Sequence, residues 1–238
     1  MIALATNEKS VFNIPLRNGD RLNADEFCRR WDFTPNLRHA ELIGGQVFLN
    51  PPISAGAHGR PHGNILVLLG IYAAGTPGTE MISESSVHFG PQDLPQPDAL
   101  LRIREESGGS SHFKGDELYG PPELIVEVAA SSAAYDLFQK KQTYFEQSVQ
   151  EYLVWVVYEQ KFIWFERRET QYVPRSFGRS TILKSEVFPG LWLDTRALLA
   201  HDAKKAQHTL QKGLDSPEHA EFVKRLKSQA RKKKRNSS

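Results

Sequence analysis

One acidic residue, Glu127, lies inside the otherwise apolar run LIVEVA, and few chemical situations explain a carboxylate there. An unpaired carboxylate among valine and isoleucine side chains is costly and tends to take up a proton. A bound cation or a buried lysine removes that cost. Glu127 is therefore a candidate metal ligand or ion-pair member, and the remaining alternative is a strand-end residue whose carboxylate reaches solvent.

A second carboxylate, Asp98, stands at the start of the predicted strand 97–104. If this strand neighbours the one that carries Glu127, the two carboxylates supply the oxygen ligands that Mg²⁺ prefers, and the carbonyl of Val128 can add a third. Magnesium usually keeps several waters, so one or two carboxylates suffice to hold it. Such an ion, with an activated water and a nearby lysine, can hydrolyse a phosphodiester.

Two histidines, His58 and His62, have the HxxxH spacing of some zinc sites. Gly59 and Pro61 between them oppose the helix that would align the pair, so the spacing is weak evidence for zinc. His62 remains a candidate for lining the cleft near the start of a helix. Serine hydrolysis has little support either, because no GxSxG elbow surrounds the serines.

The composition predicts a globular protein with one main domain. The chain has 238 residues, of which 39% are hydrophobic and 24% charged, enough for a domain of about 200 residues. No run approaches the roughly 20 apolar residues of a membrane helix, and the first residues do not resemble a secretory signal. The single cysteine, Cys28, excludes an internal disulfide and a Cys-rich zinc site, and a reducing, cytoplasmic setting is expected.

Charge is distributed unevenly behind a net value of +2. Residues 201–238 contain 11 basic and 4 acidic residues, which leaves 19 basic against 24 acidic in the first 200. An acidic body that meets an anionic substrate needs a cation, whereas the basic tail can attract nucleic acid or simply be solvated. The predicted organisation is a loosely ordered lead-in over 1–22, a domain over 23–200, and a basic, partly helical tail over 201–238.

Periodicity and turn residues predict the elements that must position these carboxylates. A helix capped by Asn23 precedes a hairpin over 38–50, which turns at Gly44-Gly45 and carries Glu41 in its first strand. The run 151–158 is apolar enough for a central strand covered on both faces. The other predictions are a buried helix over 62–74, strands over 81–89, 97–104 and 123–130, a polar loop near the site over 105–120, a helix over 136–147, a solvent-facing hairpin over 161–175, an extended piece over 186–194, and a short helix over 195–199.

Several of these pieces, in this order, resemble the Uma2 family of the PD-(D/E)XK restriction-endonuclease-like superfamily. They are AELIGGQV with Glu41, QPDALL with Asp98, LIVEVAASS with Glu127, YDLFQKKQTY with Asp136, Lys140 and Tyr144, and then EYLVW. The resemblance covers roughly residues 23–199. It implies an α/β fold, a restriction-endonuclease-like core with a central mixed β-sheet flanked by helices, to which the hairpins and the basic C-terminal extension are added.

The resemblance also implies roles for individual residues. Asp98 and Glu127 match the metal ligands, and Glu41 matches the extra acidic residue of many superfamily members. The usual lysine lies two residues after the glutamate, where this chain has Ala129. In the family that lysine is found on the following helix, at the position of Lys140.

Lys141 competes with Lys140 for this role. Adjacent helical residues differ by about 100° around the axis, so only one of the two lysines can face the site. Asp136 and Tyr144 lie four residues to either side of Lys140 and share its face, which favours Lys140. Taken alone, Asp136 is also explained as a favourable residue at a helix N-terminus, and Tyr144 as a packing residue.

The functional hypothesis is a Mg²⁺- or Mn²⁺-dependent endonuclease that hydrolyses phosphodiester bonds, with DNA as the expected substrate. The catalytic residues would be Glu41, Asp98, Glu127 and Lys140, and the metal ligands Asp98, Glu127 and Val128. The alternative is an inactive nuclease-fold module that binds nucleic acid or a protein. The family resemblance also leads us to expect a homodimer, and no membrane partner is expected.

Overall fold

The computed structural model of the protein describes residues 14–49 and 54–236, and its centre is a six-stranded mixed sheet. This confirms the predicted fold class, a mixed sheet flanked by helices. From one edge to the other, the strands are β11 (Tyr172–Pro174), β10 (Lys161–Arg167), β9 (Glu151–Val156), β8 (Leu124–Ala129), β5 (Ala99–Ile103) and β3 (Thr79–Ser83).

The two central strands, β8 and β9, run parallel and are buried at every position. Their sequences show no alternation of apolar and polar residues because both faces of the sheet are covered. The connection between them is helical, consisting of α3 (Ala133–Tyr135), a π-helical turn (Asp136–Lys140) and α4 (Lys141–Glu146). This crossover returns the chain to the sheet and carries the lysine of interest.

Strand β5 is antiparallel to β8, with Ala99 opposite Val126 and Leu100 opposite Ile125. Extending this register by one residue brings Asp98, just before β5, opposite Glu127. The pairing of these two strands is thus the structural reason that two carboxylates 29 residues apart in sequence meet.

Helices cover both faces of the sheet. One face packs against α2 (Arg60–Gly75) and the C-terminal helices α5 (Thr195–Leu199), α6 (Ala203–Leu214) and α7 (Pro217–Asn236). The other packs against α4 through Tyr144. The remaining elements are α1 (Ala24–Asp32), the hairpin β1 (Ala40–Ile43) and β2 (Gln46–Leu49), a π-helical turn (Ala55–Gly59), the small sheet β4 (Val87–His88), β7 (Glu117–Tyr119) and β6 (His112–Lys114), a 3₁₀ turn (Glu105–Ser107), and the pair β12 (Ile182–Lys184) and β13 (Trp192–Asp194).

Local signals gave the turns and caps correctly where short-range chemistry decides them. Gly44 and Gly45 both have positive φ, 56° and 72°, as the two-residue hairpin turn requires. The side chain of Asn23 accepts a hydrogen bond from the backbone N–H of Glu26. The Glu26 carboxylate does not complete a capping box, because it pairs with Arg29 and Arg30 instead.

Four predicted elements differ in the structure. The strand over 81–89 is two strands in different sheets, and the loop over 105–120 contains β6 and β7. That loop begins at the end of β5 opposite to Asp98, where its 3₁₀ turn packs against α7. The hairpin over 161–175 is part of the main sheet, with Trp164 buried in its core. Only the last three residues of 186–194 are strand, paired with β12, which was not predicted.

Both ends of the described chain are attached to the body. Of the lead-in predicted over 1–22, residues 1–13 lie outside the described residues. The rest is bonded to the hairpin, where Gly19 donates to the carbonyl of Val47 and Leu22 to that of Gly45. In the tail, Leu210 and Phe222 are buried in the main core, so α6 and α7 are more extensively docked than sequence suggested. Within the part of the chain that the structure describes, no helix is long and apolar enough to cross a membrane.

The docking of α6 can be tested with two helical glycines. A Cβ on Gly213 would lie 2.1 Å from the carbonyl oxygen of Gly190, whereas a Cβ on Gly63 in α2 would meet nothing within 4 Å. We expect Gly213→Ala to lower the free energy of unfolding by about 3 kcal/mol through overpacking. Gly63→Ala should raise it by up to about 1 kcal/mol through helix propensity. Urea denaturation measures both, and similar effects of the two changes would contradict the docked position of α6.

Candidate active site

A buried ammonium, that of Lys140, links the acidic residues of the site. Its Nζ lies 2.9 Å from Oε1 of Glu127 and 2.9 Å from Oε1 of Glu41, and 3.6 Å from Oδ1 of Asp136. The side chains of all four residues are buried. The neighbouring Lys141 points elsewhere, with its Nζ 5.1 Å from the centre of the Phe165 ring.

Glu127 is held at both carboxylate oxygens. Besides Lys140, the hydroxyl of Tyr144 donates to Oε1 at 2.8 Å, and the backbone N–H of Asp98 donates to Oε2 at 3.3 Å. These partners come from the helical crossover and from the start of β5. The carboxylate in LIVEVA is therefore an ion-pair member in this structure, at the edge of the predicted metal position.

Glu41 reaches the same ammonium from the hairpin of β1 and β2. Its Oε1 also accepts the backbone N–H of Gln96 at 2.8 Å. The hairpin is fixed there because Leu42 and Leu94 exchange backbone hydrogen bonds. Glu41 is fully buried, so its approach to Lys140 is set by packing as well as by charge.

Asp98 is bound on one oxygen by the strand that carries Glu127. The backbone N–H of Val128 donates to its Oδ2 at 2.6 Å. Its other oxygen, Oδ1, lies 3.4 Å from Nε2 of His58. The opposite ring nitrogen of His58, Nδ1, donates to the carbonyl of Val128 at 3.0 Å, and His62 Nε2 donates to the carbonyl of Asp98 at 2.9 Å.

Burial and mutual charge shift the protonation of the cluster. Burial alone would lower the pKa of Lys140, but the carboxylates of Glu127, Glu41 and Asp136 outweigh it and raise this pKa well above its ordinary value. Lys140 is therefore a fixed cation at neutral pH. Burial raises the pKa of Glu127, and Lys140 compensates only in part because Asp98 adds a further negative charge.

Asp98 behaves differently from Glu127 because its partner is a histidine. Burial is the largest effect and opposes the charge on Asp98, but the hydrogen bond and charge of His58, the charge of Lys140 and the backbone N–H of Val128 together outweigh it, so the pKa of Asp98 is lowered. The same hydrogen bond raises the pKa of His58 above its ordinary value, against the effect of burial. The two groups thus form a charged pair beside the Glu127–Lys140 pair.

The donor set and its charge fit a divalent cation. The four carboxylates of Glu41, Asp98, Glu127 and Asp136 outnumber the ammonium of Lys140, with which three of them pair. This excess of acidic groups favours binding of a cation such as Mg²⁺ or Mn²⁺. The candidate ligands are two carboxylates and the carbonyl of Val128, which suits an ion that retains waters. Among the described residues, no group of three or more His, Cys, Asp or Glu side chains is arranged to hold a metal ion.

The structure brings the predicted residues Glu41, Asp98, Glu127 and Lys140 together, with the carbonyl of Val128 beside Asp98. Asp136 and Tyr144 also contact the cluster, Asp136 through Lys140 and Tyr144 through Glu127. Sequence reasoning missed the role of Gln96 and the contacts of His58. A backbone donor leaves no trace in side-chain patterns, and His58 is 70 residues from Val128, so no spacing signal could have linked them.

Comparison with known proteins relates the chain to a protein family and to a solved structure. A family model, Uma2, described as "Putative restriction endonuclease", matches residues 24–196. A crystal structure from Anabaena variabilis ATCC 29413, described as "a putative nuclease belonging to DUF820", aligns with a TM-score of 0.59 at 13% identity. The alignment covers 75% of this chain and 98% of that chain, and at this identity it shows a shared fold. No curated protein matches the chain.

The family match extends over 173 of the 238 residues and includes every residue of the carboxylate–lysine cluster. The structural alignment independently supports the same fold. On this evidence the chain belongs to the Uma2 family.

Proposed function

We propose that this protein is an endonuclease that hydrolyses phosphodiester bonds of DNA with Mg²⁺ or Mn²⁺. The observation that carries the proposal is the convergence of Asp98 and Glu127, from adjacent strands, with the carbonyl of Val128 and the buried ammonium of Lys140. The family description supports nuclease activity. The cation, DNA as the substrate, a homodimer and a cytoplasmic location stay predictions.

In this proposal Asp98, Glu127 and Val128 hold the cation. A bound divalent ion would polarise the phosphoryl oxygen and favour deprotonation of a bound water. Lys140 carries a positive charge in the site because its raised pKa keeps the amine protonated. A protonated amine cannot accept a proton from the attacking water. Its role is to orient the carboxylates and stabilise negative charge, and general-base catalysis is disfavoured.

Glu41 acts through Lys140 in the arrangement seen here. Its Oε1 contacts the ammonium at 2.9 Å and receives the backbone N–H of Gln96. This geometry supports a role of Glu41 in orienting Lys140 rather than in holding a second metal ion. Asp136 adds a third carboxylate, and the hydroxyl of Ser132 donates to its Oδ2 at 2.6 Å.

The basic helix α7 supports nucleic acid as the partner. Eight basic residues and no acidic one fall within residues 224–235, and all eight are exposed. The 3₁₀ turn that contacts α7 begins at Glu105, seven residues after Asp98. At about 3.3 Å per strand residue, Asp98 and Glu105 are roughly 20 Å apart. A DNA duplex that contacts both the carboxylate site and α7 would therefore span about half a helical turn or more.

A second candidate function is nucleic-acid binding without cleavage. The observation that favours it is that Lys140 and backbone N–H groups already bind carboxylate oxygens of Glu41, Glu127 and Asp98. The superfamily's usual lysine position is also occupied by Ala129. The two candidates differ in one measurable property, turnover in the presence of a divalent cation.

A plasmid-nicking assay tests the proposed activity. The protein with Mg²⁺ or Mn²⁺ should convert supercoiled plasmid to the open circular form, and chelation by EDTA should stop it. Asp98→Asn and Glu127→Gln should reduce nicking to the level of the protein-free blank, because each removes a charged ligand. The matched control is Asp116→Asn, in the exposed turn between β6 and β7, which should nick at the wild-type rate.

Nicking that survived both Asp98→Asn and Glu127→Gln would rule out the proposed mechanism. Tight duplex binding without nicking, under both cations, would select the second candidate function.

The charge role of Lys140 predicts a large and pH-dependent loss of stability. Lys140→Met leaves Glu41 and Glu127 buried without their ammonium, and should cost about 3–5 kcal/mol near neutral pH. Without the ammonium the folded-state pKa of Glu127 lies still further above its unfolded value. Protonated Glu127 is therefore tolerated in the folded variant below its unfolded pKa of about 4.3, and the variant loses stability as the pH rises above that value. The difference in unfolding free energy between Lys140→Met and wild type should accordingly shrink on acidification.

Urea denaturation at several pH values between 4.5 and 8 checks this expectation. Lys141→Met is the matched control, one residue away and outside the cluster, and should change the free energy of unfolding by less than about 0.5 kcal/mol. Equal effects of the two substitutions, or a Lys140→Met deficit that grows as the pH falls, would contradict the assigned charge role.

The contribution of α7 to DNA binding is testable through salt dependence. Simultaneous replacement of Lys227, Arg231 and Lys232 by glutamine should weaken binding of a 30-bp duplex in EDTA. The slope of log K against log salt should fall by up to about 3, since each phosphate contact contributes about 0.9. The control replaces Lys204, Lys205 and Lys212 of α6 by glutamine and should leave the slope near wild type. An unchanged slope in the α7 variant would exclude this helix as a phosphate-contacting surface.

A further inference from the structure

The ring of His58 contacts the two oxygens at which a cation is expected. Its Nε2 lies 3.4 Å from Oδ1 of Asp98, and its Nδ1 donates to the carbonyl oxygen of Val128 at 3.0 Å. Oδ1 is the oxygen of Asp98 that faces away from the backbone N–H of Val128, which occupies Oδ2. A single imidazole thus bridges one side-chain and one main-chain oxygen of the candidate metal site.

Both partners of the His58 ring are acceptors. A backbone carbonyl accepts only, so Nδ1 carries a proton, and a carboxylate oxygen opposite Nε2 favours a proton there as well. Each nitrogen of the ring therefore faces an oxygen that a cation would also use as a ligand. The ring occupies the place between Asp98 and Val128 at which the cation is expected.

The segment that carries His58 is lightly packed. His58 belongs to the π-helical turn Ala55–Gly59, in which no residue is buried, and the side chain itself is 13% exposed. A Cβ added to Gly56 would meet no atom within 4 Å, so there is open space beside the turn. The turn continues directly into α2, and π-helical turns joined to α-helices are frequent at functional sites. Moving the ring away from Asp98 and Val128 would break its contact with the His62 ring, whose centroid is 5.4 Å away, but would leave the buried residues of the core in place.

We propose that His58 is a positioning residue that holds Asp98 Oδ1 and the Val128 carbonyl in the metal-free protein, and that its ring leaves both oxygens when a divalent cation binds. The ring and the cation would compete for the same two acceptors. The inference rests on the proposed function, since it takes these oxygens as metal ligands. The inference gives a role to His58, which is not one of the proposed metal ligands.

Competition has a thermodynamic signature that a ligand or a purely structural residue does not share. A group that must be displaced lowers the apparent affinity for the ion, so its removal should tighten binding. A direct ligand would weaken binding when removed. By reciprocity, the cation should reduce the effect of His58 on stability to the same extent that His58 reduces cation affinity.

Isothermal titration calorimetry with Mn²⁺ at one fixed pH tests the sign of the effect. We expect His58→Ala to bind Mn²⁺ roughly tenfold more tightly than wild type, within the usual range of coupling between competing partners. His208→Ala is the matched control. His208 is exposed on α6, outside the acidic cluster, and its loss should leave the affinity for Mn²⁺ unchanged.

A second measurement keeps the proposal testable if His58→Ala lowers stability. His58→Gln should behave like His58→Ala, and urea denaturation should show both variants less stable than wild type without Mn²⁺. Saturating Mn²⁺ should reduce this difference in unfolding free energy by RT ln of the affinity ratio found in calorimetry.

The outcomes separate this inference from the proposed function. Mn²⁺ binding to wild type that Asp98→Asn abolishes, with weaker or unchanged binding by His58→Ala and His58→Gln, would overturn the His58 inference alone. Absence of Asp98-dependent Mn²⁺ binding in wild type and in both His58 variants would overturn the metal site and the inference together. Tight binding that appears only after His58 is replaced would support the competition directly.

Discussion

The site depends on one buried interaction, that between the Lys140 ammonium and the carboxylates of Glu41 and Glu127. Each of these charges would be very costly to bury alone, and each is tolerable because the others are in place. The three residues come from a helical crossover, a hairpin and a central strand. The pairing therefore joins three separate parts of the chain, and a change at any one of them alters the electrostatics of the others. The buried pairing of Lys140 also determines which face of the crossover helix is turned toward the sheet. The adjacent Lys141 lies over the ring of Phe165 instead.

Strand register supplies the second constraint. Asp98 meets Glu127 because β5 and β8 are antiparallel neighbours with Ala99 opposite Val126. The same contact lets the backbone of each strand bind the carboxylate of the other, since Asp98 donates to Glu127 and Val128 donates to Asp98. These reciprocal bonds hold the two carboxylates close together before any cation is present. A site arranged in this way is preorganised by the pairing of two strands of the main sheet.

Negative charge in excess of the available cations connects the site to its proposed chemistry. Lys140 pairs with one part of the cluster. His58 contacts the other part in the metal-free protein, and a divalent ion would take its place there. Lys140 and His58 differ in how they are held. Lys140 is enclosed by the core, whereas His58 stands on a turn without buried residues. This contrast is why Lys140 is interpreted as a permanent component and His58 as one that gives way.

The sequence by itself determined the elements whose patterns are local. The Gly44-Gly45 turn, the cap at Asn23, the two largely apolar central strands and the inward orientation of Lys140 all follow from residues close in the chain. It also singled out Glu127, because burying a carboxylate in an apolar strand demands a partner. Only the tertiary structure decided which strands are neighbours, that β10 with Trp164 joins the main sheet, and that α6 and α7 pack against the core. It alone placed His58 beside Asp98 and Val128. These are contacts between distant segments, and their free energy depends on the packing of the whole sheet, which no local pattern of residues encodes.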